Sequence, residues 1–355
     1  MASVVKHESG WRAFISLDGV RKTKTFKSKA DALFWAKTVE KSFQRDGFIE
    51  TKIPFAQLLE EYAQKASITK RGASEELRRI RALQKDKKLA ELPISAITKV
   101  ILQDWVDSKI GSVSDFTGRK IKSSSVARYL CIIKAVFAKA VDWRYLAASP
   151  ASGVVCKVVE DHRERVATNE EIEMLKAAAL WDEHEPPMLQ SQRIIAAFVF
   201  ACFTGMRIGE IVQMERSWIN GNVITIPREI TKTYHGRSVA VPNRAKNVLD
   251  QVLKVGLEPK IFGLAPKQHD ALFRKIRNAA GLGAVYDSDG HEIKESLNFH
   301  DSRATFCTWA ASPGADGAPR LDVLALARQT GHRNIKMLMK YYRKDASELL
   351  ERLNG

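Results

Sequence analysis

Arg207, His300, Arg303, His332 and Tyr341 lie far apart along the chain, inside the strings Thr204-Gly205-Met206-Arg207-Ile208-Gly209-Glu210, His300-Asp301-Ser302-Arg303 and Thr330-Gly331-His332. Side chains that serve one task must be folded to one place, so residues 165–355 read as one catalytic unit. The chemistry of the set is specific. A phosphodiester under attack gathers negative charge on its non-bridging oxygens, and fixed guanidinium forks are shaped to hold two such oxygens. Histidines supply hydrogen bonds and proton handling. A tyrosine hydroxyl, unlike water, leaves the protein joined to the nucleic acid, so the energy of the broken bond is kept for rejoining.

The charge balance agrees with a polyanionic partner. In 355 residues, 57 Lys and Arg against 41 Asp and Glu leave +16, while 45% hydrophobic residues supply real cores and exclude a disordered basic tail. Cys131, Cys156, Cys202 and Cys307 lie far apart and form no CxxC pair, so neither a zinc site nor a disulfide framework is indicated. The start has no apolar signal core, and the apolar stretch Ile194 to Phe203 is about half of what a bilayer demands, so a soluble, unexported cytoplasmic protein is expected.

Periodicity divides the chain further. Trp11–Leu17 and Val20–Phe26 read as strands around Asp18-Gly19, a two-residue hairpin signal. Ser28 then caps a helix over Lys29–Phe43, with Leu33, Trp35, Ala36 and Val39 as its apolar face. Residues 1–48 are thus a small hairpin-and-helix unit carrying Arg12, Arg21, Lys22, Lys24 and Lys27, either a groove-entering basic ribbon or a solvated face.

From Ile53 the pattern is helical: Phe55, Leu58, Leu59 and Tyr62; Leu77, Ile80 and Leu83; Ile101, Trp105 and Val106. A fourth helix, Val126–Val141, is capped by Ser123–Ser125 and buries Leu130, Ile133, Val136, Phe137 and Ala140. Lys70, Arg71, Arg78, Arg79, Arg81, Lys85, Lys87 and Lys88 give this unit, residues 50–157, a basic face. Ser149–Gly153 opens a linker running through Arg165. Beyond it, Thr168 to Glu171 cap a helix through Ala179, and Ser191 caps Gln192–Phe203. Strands follow at Val223–Ile226, Thr231–Thr233 and Ser238–Val241, the last two around a turn at Tyr234-His235-Gly236. The fold class is α+β, mainly α with small β elements.

Each site residue has a bland reading beside the functional one. An Arg207–Glu210 pair, three apart on a helix, is by itself structural, although the carboxylate can also hold the guanidinium still. Lys232 alone is a surface lysine at a turn; its place between Arg207 and the His-x-x-Arg pair recommends it. Lys246 and Lys254, on a helix, are poorer candidates. His300 and Arg303 share a helix face, where two neighbouring cations repel unless an anion lies between them. His332 follows a helix-breaking glycine and precedes Asn334, a candidate cap of the last helix. On that helix Ile335, Leu338, Met339, Tyr342, Ala346, Leu349, Leu350 and Leu353 form one stripe, so Tyr342 fills core while Tyr341 points elsewhere. No phosphate loop and no carboxylate cluster is present in the sequence, so neither cofactor, nucleotide nor metal is expected in the chemistry.

At these residues the chain resembles the tyrosine recombinases, the integrase family of phages and mobile elements. The family pattern of Arg, Lys, His-x-x-Arg, His or Trp, and Tyr falls on Arg207, Lys232, His300, Arg303, His332 and Tyr341, with the tyrosine nine residues after the histidine as in the family. Residues 1–48 are similar to small arm-type DNA-binding domains, and 50–157 to the helical core-binding domain. The resemblance implies a site-specific recombinase that cleaves and rejoins double-stranded attachment sites through a 3′-phosphotyrosine. It further implies a homotetramer on DNA, with a host DNA-bending protein and a directionality factor as accessory partners. Two alternatives use the same residues or none of them: a type IB topoisomerase-like enzyme, and a catalytically inactive DNA-binding regulator.

Overall fold

The computed structural model describes the chain except residues 1, 8–9, 18–19, 46–51, 115–117, 119, 159–162, 164, 232–234, 267, 289–291, 315–317 and 343–355. It divides into two compact units, Met1–Asp161 and His162–Gly355.

The first unit holds two separate cores. Strands β1 (Ala2–His7), β2 (Gly10–Leu17) and β3 (Val20–Phe26) form an antiparallel sheet in the order β1-β2-β3, with Trp11 opposite Phe26 and Leu17 opposite Val20. The expected hairpin strands are present, while its Asp18-Gly19 turn lies outside the described residues. Strand β1 was not expected; its six residues carry only Val4 and Val5 as a β signal. Helix α1 (Lys29–Arg45) begins where Ser28 Oγ accepts the Asp31 backbone N–H at 3.1 Å. Its buried face differs from the expected one. Ala32 and Ala36, four apart, pack on Ala13 and Ile15, whereas Leu33 is 42% exposed. Small residues let the helix lie close to the sheet, and Trp35 flanks the contact with its ring 5.6 Å from that of Phe26.

The helical part comprises α2 (Phe55–Tyr62), a π-helical turn at Ala63–Ser67, α3 (Ala73–Gln84), α4 (Lys87–Ala90), α5 (Lys99–Lys109) and α6 (Ser123–Asp142). Phe55, Leu58, Leu59, Ile80, Leu83, Val106, Ile133, Val136 and Phe137 are buried as their spacing predicts, with Phe55 stacked on Phe137 at 5.1 Å. On α5 the inward residue is Leu102 rather than Ile101. Helix α6 starts at Ser123 itself, with Lys122 in the capping position and no side-chain cap. The linker also starts later than Ser149. Ala151 and Val154 belong to this core, and Gln103 exchanges two hydrogen bonds with the Val155 backbone.

The second unit is built around α8 (Gln190–Thr204), a helix buried from Arg193 to Cys202 and therefore apolar on every side. Around it pack α7 (Asn169–Ala178), α10 (Asn243–Lys254), α11 (His269–Ala279) and α12 (Asp301–Ala311). Thr168 and Glu171 form the expected capping box on α7. Ser191 does not cap α8; Gln192 instead accepts the Leu189 backbone N–H at 2.9 Å, which places Ser191 inside the helix.

The single turn α9 (Ile208–Ile211) leads to a sheet of β4 (Ile219–Asn220), β5 (Val223–Ile226) and β6 (Arg237–Ala240), antiparallel in that order, with Ile224 opposite Val239. Thr231, expected in a strand, is in a bend. A short pair, β7 (Val285–Tyr286) and β8 (Glu292–Lys294), precedes α12. The described chain ends with α13 (Val323–Thr330), α14 (Lys336–Met339) and a 3-10 turn at Lys340–Tyr342. Among the described residues no helix is long and apolar enough to cross a membrane.

Candidate active site

Two helix C-termini make the site. Helices α8 and α13 both stop at a left-handed glycine, Gly205 at φ 68° and Gly331 at φ 70°. A Cβ on Gly205 would sit 2.5 Å from the Phe306 ring, so the position takes glycine for space as well as for φ. Such ends leave carbonyl oxygens without helical partners and gather partial negative charge. Guanidinium groups fill them.

Arg303, in the first turn of α12, donates from Nη1 to Gly205 O and from Nη2 to Thr330 O, both at 2.5 Å, and is 4% exposed. Arg207 reaches the same place from the start of α9, with Nη1 3.5 Å from Thr330 O and Nη2 3.4 Å from Gly331 O. Its side chain is 30% exposed, so it is the more open of the two. Burial first, then Arg207, pushes the Arg303 guanidinium down to about 9, still a cation at neutral pH.

Glu210 has a different first partner from the one its spacing suggests. Arg237, on β6, donates to both of its oxygens at 2.8 Å and also to Gln329 O at 3.1 Å. Arg207 Nη1 is farther, at 3.3 Å, while the Arg207 backbone N–H reaches the same carboxylate at 2.9 Å. Although burial alone would raise it, these cations, Arg237 foremost, hold Glu210 below the usual carboxylate range. Arg237 was not singled out in the sequence. The only signal for it there is one basic residue at the start of an otherwise apolar, polar-flanked strand. Gln329 was missed as well; its amide accepts from Ala240 N at 3.0 Å and donates to Ala240 O at 2.8 Å and Thr204 O at 3.1 Å, joining β6, α8 and α13.

His332 follows Gly331 directly. Its Nδ1 is 2.7 Å from Thr330 Oγ1, and Arg303 Nη2 lies 3.3 Å and 3.4 Å from its two ring nitrogens. Burial, then Arg303 and Arg207, lower its pKa to about 3, so the ring is neutral at pH 7. His300 stands at the N-terminal edge of α12. The residue is exposed, yet partial desolvation and then Arg303 and Arg207 hold its imidazole below its ordinary value. Asp301, read as an orienting neighbour, is 4% exposed, accepts both arms of Arg163 at 2.8 Å and 2.7 Å, and accepts the Asn298 backbone N–H at 2.8 Å.

Arg207, Arg303, His332 and His300 are therefore gathered electrostatically at one place. Lys232 lies outside the described residues, as does the apolar stripe beyond Tyr342. Tyr341 and Tyr342 both pack, half-buried, against the cluster of Phe306, Cys307, Ala310, Leu326 and Leu338. The 3-10 turn at their position breaks the α-helical period that separated them, and Ile335 and Met339 of the expected stripe are 38% and 61% exposed. Tyr342 donates to Leu321 O at 2.7 Å, and burial, then Asp322, pushes its pKa up to about 12. The Tyr341 ring lies under the Lys340 ammonium at 5.2 Å. Asn334 caps the turn to α14 by accepting the Lys336 N–H at 3.0 Å.

A cleft of about 350 Å³ opens on this assembly, lined by Arg207, His235, Gly236, Arg237, Ala327, Arg328, Gly331, His332 and Arg333. Among the described residues its lining has four arginines and no carboxylate, a wall suited to a phosphate anion. Among the described residues no group of three or more His, Cys, Asp or Glu comes together as metal ligands would.

Residues 168–348 match the model of the phage integrase family. A putative integrase/recombinase of Haemophilus influenzae is 30% identical over 98% of this chain and 89% of its own length. The shufflon-specific DNA recombinase of Escherichia coli is 25% identical over 86% of this chain and 72% of its own. Among solved structures, lambda integrase as a dimer bound to a COC′ core site has a TM-score of 0.62 at 14% identity, covering 96% of this chain and 94% of that one. The Tn1549 transposon integrase bound to transposon right-end DNA has a TM-score of 0.60 at 18% identity, covering 85% of this chain and all of that one. These two likenesses establish the fold.

Proposed function

We propose, for a chain that belongs to the phage integrase family and is a tyrosine-type site-specific recombinase, that it cleaves and rejoins double-stranded DNA with Tyr341 as nucleophile and integrates or excises a phage or mobile element. One observation carries this reading: Arg207 and Arg303 are fixed on the C-termini of α8 and α13, beside a cleft whose described lining holds Arg207, Arg237, Arg328 and Arg333 and no carboxylate. Donors fixed before the substrate arrives need no reorganisation as charge develops on the phosphate.

Arg207 and Arg303 hold the non-bridging oxygens, with His332 and His300 completing the grip. The Tyr341 hydroxyl oxygen attacks phosphorus, the bond to the 5′ oxygen breaks, and a 3′-phosphotyrosine forms. Lys232 donates the proton to the leaving 5′ oxygen. A 5′-hydroxyl from a partner strand then reverses the step, releasing tyrosine. Arg237 lines the same cleft and, through Glu210, positions Arg207. The structural relatives on DNA support a homotetramer on paired sites, since lambda integrase is known as a tetramer bound to a Holliday junction. Residues 1–48 serve as an arm-type DNA-binding domain, 50–157 as the core-binding domain and 165–355 as the catalytic domain. A host DNA-bending protein and a directionality factor complete the assembly.

The test uses a nicked suicide substrate built on the attachment site, found from the repeat pair flanking the coding gene. Tyr341→Phe should abolish the covalent adduct on a denaturing gel, while Tyr342→Phe should retain it with reduced stability. An adduct lost only with Tyr342→Phe reverses the assignment. Relaxation of supercoiled DNA without exchange between two sites would instead support the topoisomerase-like alternative.

A further inference from the structure

We propose that Thr330 is a positioning residue that fixes the tautomer of His332, so that in DNA-free protein the ring carries its proton on Nδ1 and an open lone pair on Nε2. The inference deepens the recombinase reading, in which His332 belongs to the phosphate grip, and follows from counting protons. Thr330 Oγ1 has one hydrogen and lies 2.6 Å from Leu326 O and 2.7 Å from His332 Nδ1. A carbonyl oxygen only accepts, so the hydroxyl hydrogen goes to Leu326 O. Thr330 Oγ1 can then only accept from Nδ1, which must hold a hydrogen.

Arg303 does not oppose this assignment. Its Nη2 is nearly equidistant from the two ring nitrogens, at 3.3 Å and 3.4 Å. In the ring plane such a point would collide with the carbon between them, so the guanidinium lies over the ring face and takes neither lone pair. That nitrogen already donates to Thr330 O at 2.5 Å. Thr330 itself is fully buried, so no water competes for its hydroxyl.

The surroundings keep the ring neutral and hence make the tautomer matter. Arg303 of α12, Arg207 before α9, Arg237 of β6 and His300 all disfavour a second proton on His332. The carboxylate of Glu210, which faces the same arginines, is already committed to Arg237 and Arg207. A neutral ring with its proton on Nε2 could donate to a phosphate oxygen at once. The tautomer set by Thr330 cannot. In this protein His332 is a proton acceptor until it takes up a proton, and only then a donor to the phosphate.

The test is a long-range proton–nitrogen spectrum of the full chain labelled with nitrogen-15 histidine, which reports each tautomer of the eight histidines directly. The His332 pair is identified by its loss in His332→Gln. Wild type should show a protonated Nδ1 and an unprotonated Nε2. Thr330→Ser, which keeps the hydroxyl, should keep that pattern. Thr330→Val, which keeps the shape and removes the hydroxyl, should move the proton to Nε2 or mix the two forms. A wild-type ring protonated on Nε2, or a Thr330→Val spectrum identical to wild type, overturns the proposal. Both outcomes are independent of the adduct assay, on which the recombinase reading stands or falls.

Discussion

The basic residues of the helical part of the first unit and those of the site in the second are the same side chains in opposite circumstances. In the first unit Lys70, Arg71, Arg78, Arg81, Lys85, Lys87 and Lys88 are exposed, and Arg78 meets Glu75 at 2.9 Å with both side chains more than half in water. In the second, Arg303 is 4% exposed and the Arg237 side chain 10%, each with every arm on a carbonyl or carboxylate. Exposed charges act over a Debye length, are screened by salt and can replace one another. Buried ones act through position, and none can stand in for its neighbour.

The sharpest way to break this contrast is Arg237→Ala. It would leave Glu210 buried without its main partner, and unpaired buried charge costs about 3–5 kcal/mol. Urea unfolding of the variant should show that loss; a change under 1 kcal/mol would mean that water reaches Glu210 and the pair is not buried in effect. Next in size is Arg303→Lys. An ammonium cannot hold Gly205 O, Thr330 O and a phosphate oxygen together, so adduct formation on a suicide substrate should fall about 10²–10³-fold, as on losing one fixed donor. Near-wild-type adduct would show that charge alone suffices.

A third prediction concerns acid. His332 is held at about 3 against an ordinary 6.5, so between those values the unfolded chain binds the proton that the folded one refuses. Stability should be full above pH 6.5 and decline as pH falls toward 3. Glu210, lowered from 4.5, adds stability above that value that is lost as pH falls through its folded value. Denaturant midpoints of wild type and His332→Gln over pH 7 to 5 isolate the first effect, which the variant should lack. The smallest effect belongs to Arg78→Ala. Its exposed pair is worth at most about 1 kcal/mol, while the log–log salt slope of DNA binding should drop by about 0.9 if the residue touches one phosphate.

How much of this was legible follows the same division. Regular periodicity was readable because it reports burial: Phe55, Leu58 and Leu59 on α2, and Ile133, Val136 and Phe137 on α6, lie where their spacing puts them. The Thr168–Glu171 capping box was readable because it is local. Arg207, His300, Arg303 and His332 could be proposed from their order and family pattern, and the fold does gather them. Arg237 and Gln329 could not, because each acts through a backbone carbonyl or side chain brought near only by tertiary folding. Glu210 shows the same limit, since its i+3 neighbour Arg207 was visible and its nearer partner across the sheet was not. Tyr341 and Tyr342 were separated by a helical period that the chain abandons at Lys340, so the choice of Tyr341 now rests on its spacing of nine residues from His332.

Gln329 has a consequence beyond the site. Strand β6 is the edge of its sheet, and an edge presents free backbone donors and acceptors to which any extended segment can add itself. At Ala240 both groups are already taken by the Gln329 amide, which mimics the peptide of a neighbouring strand. At Ala240, then, a foreign strand cannot pair without first prising off α13, whose C-terminal glycine His332 directly follows.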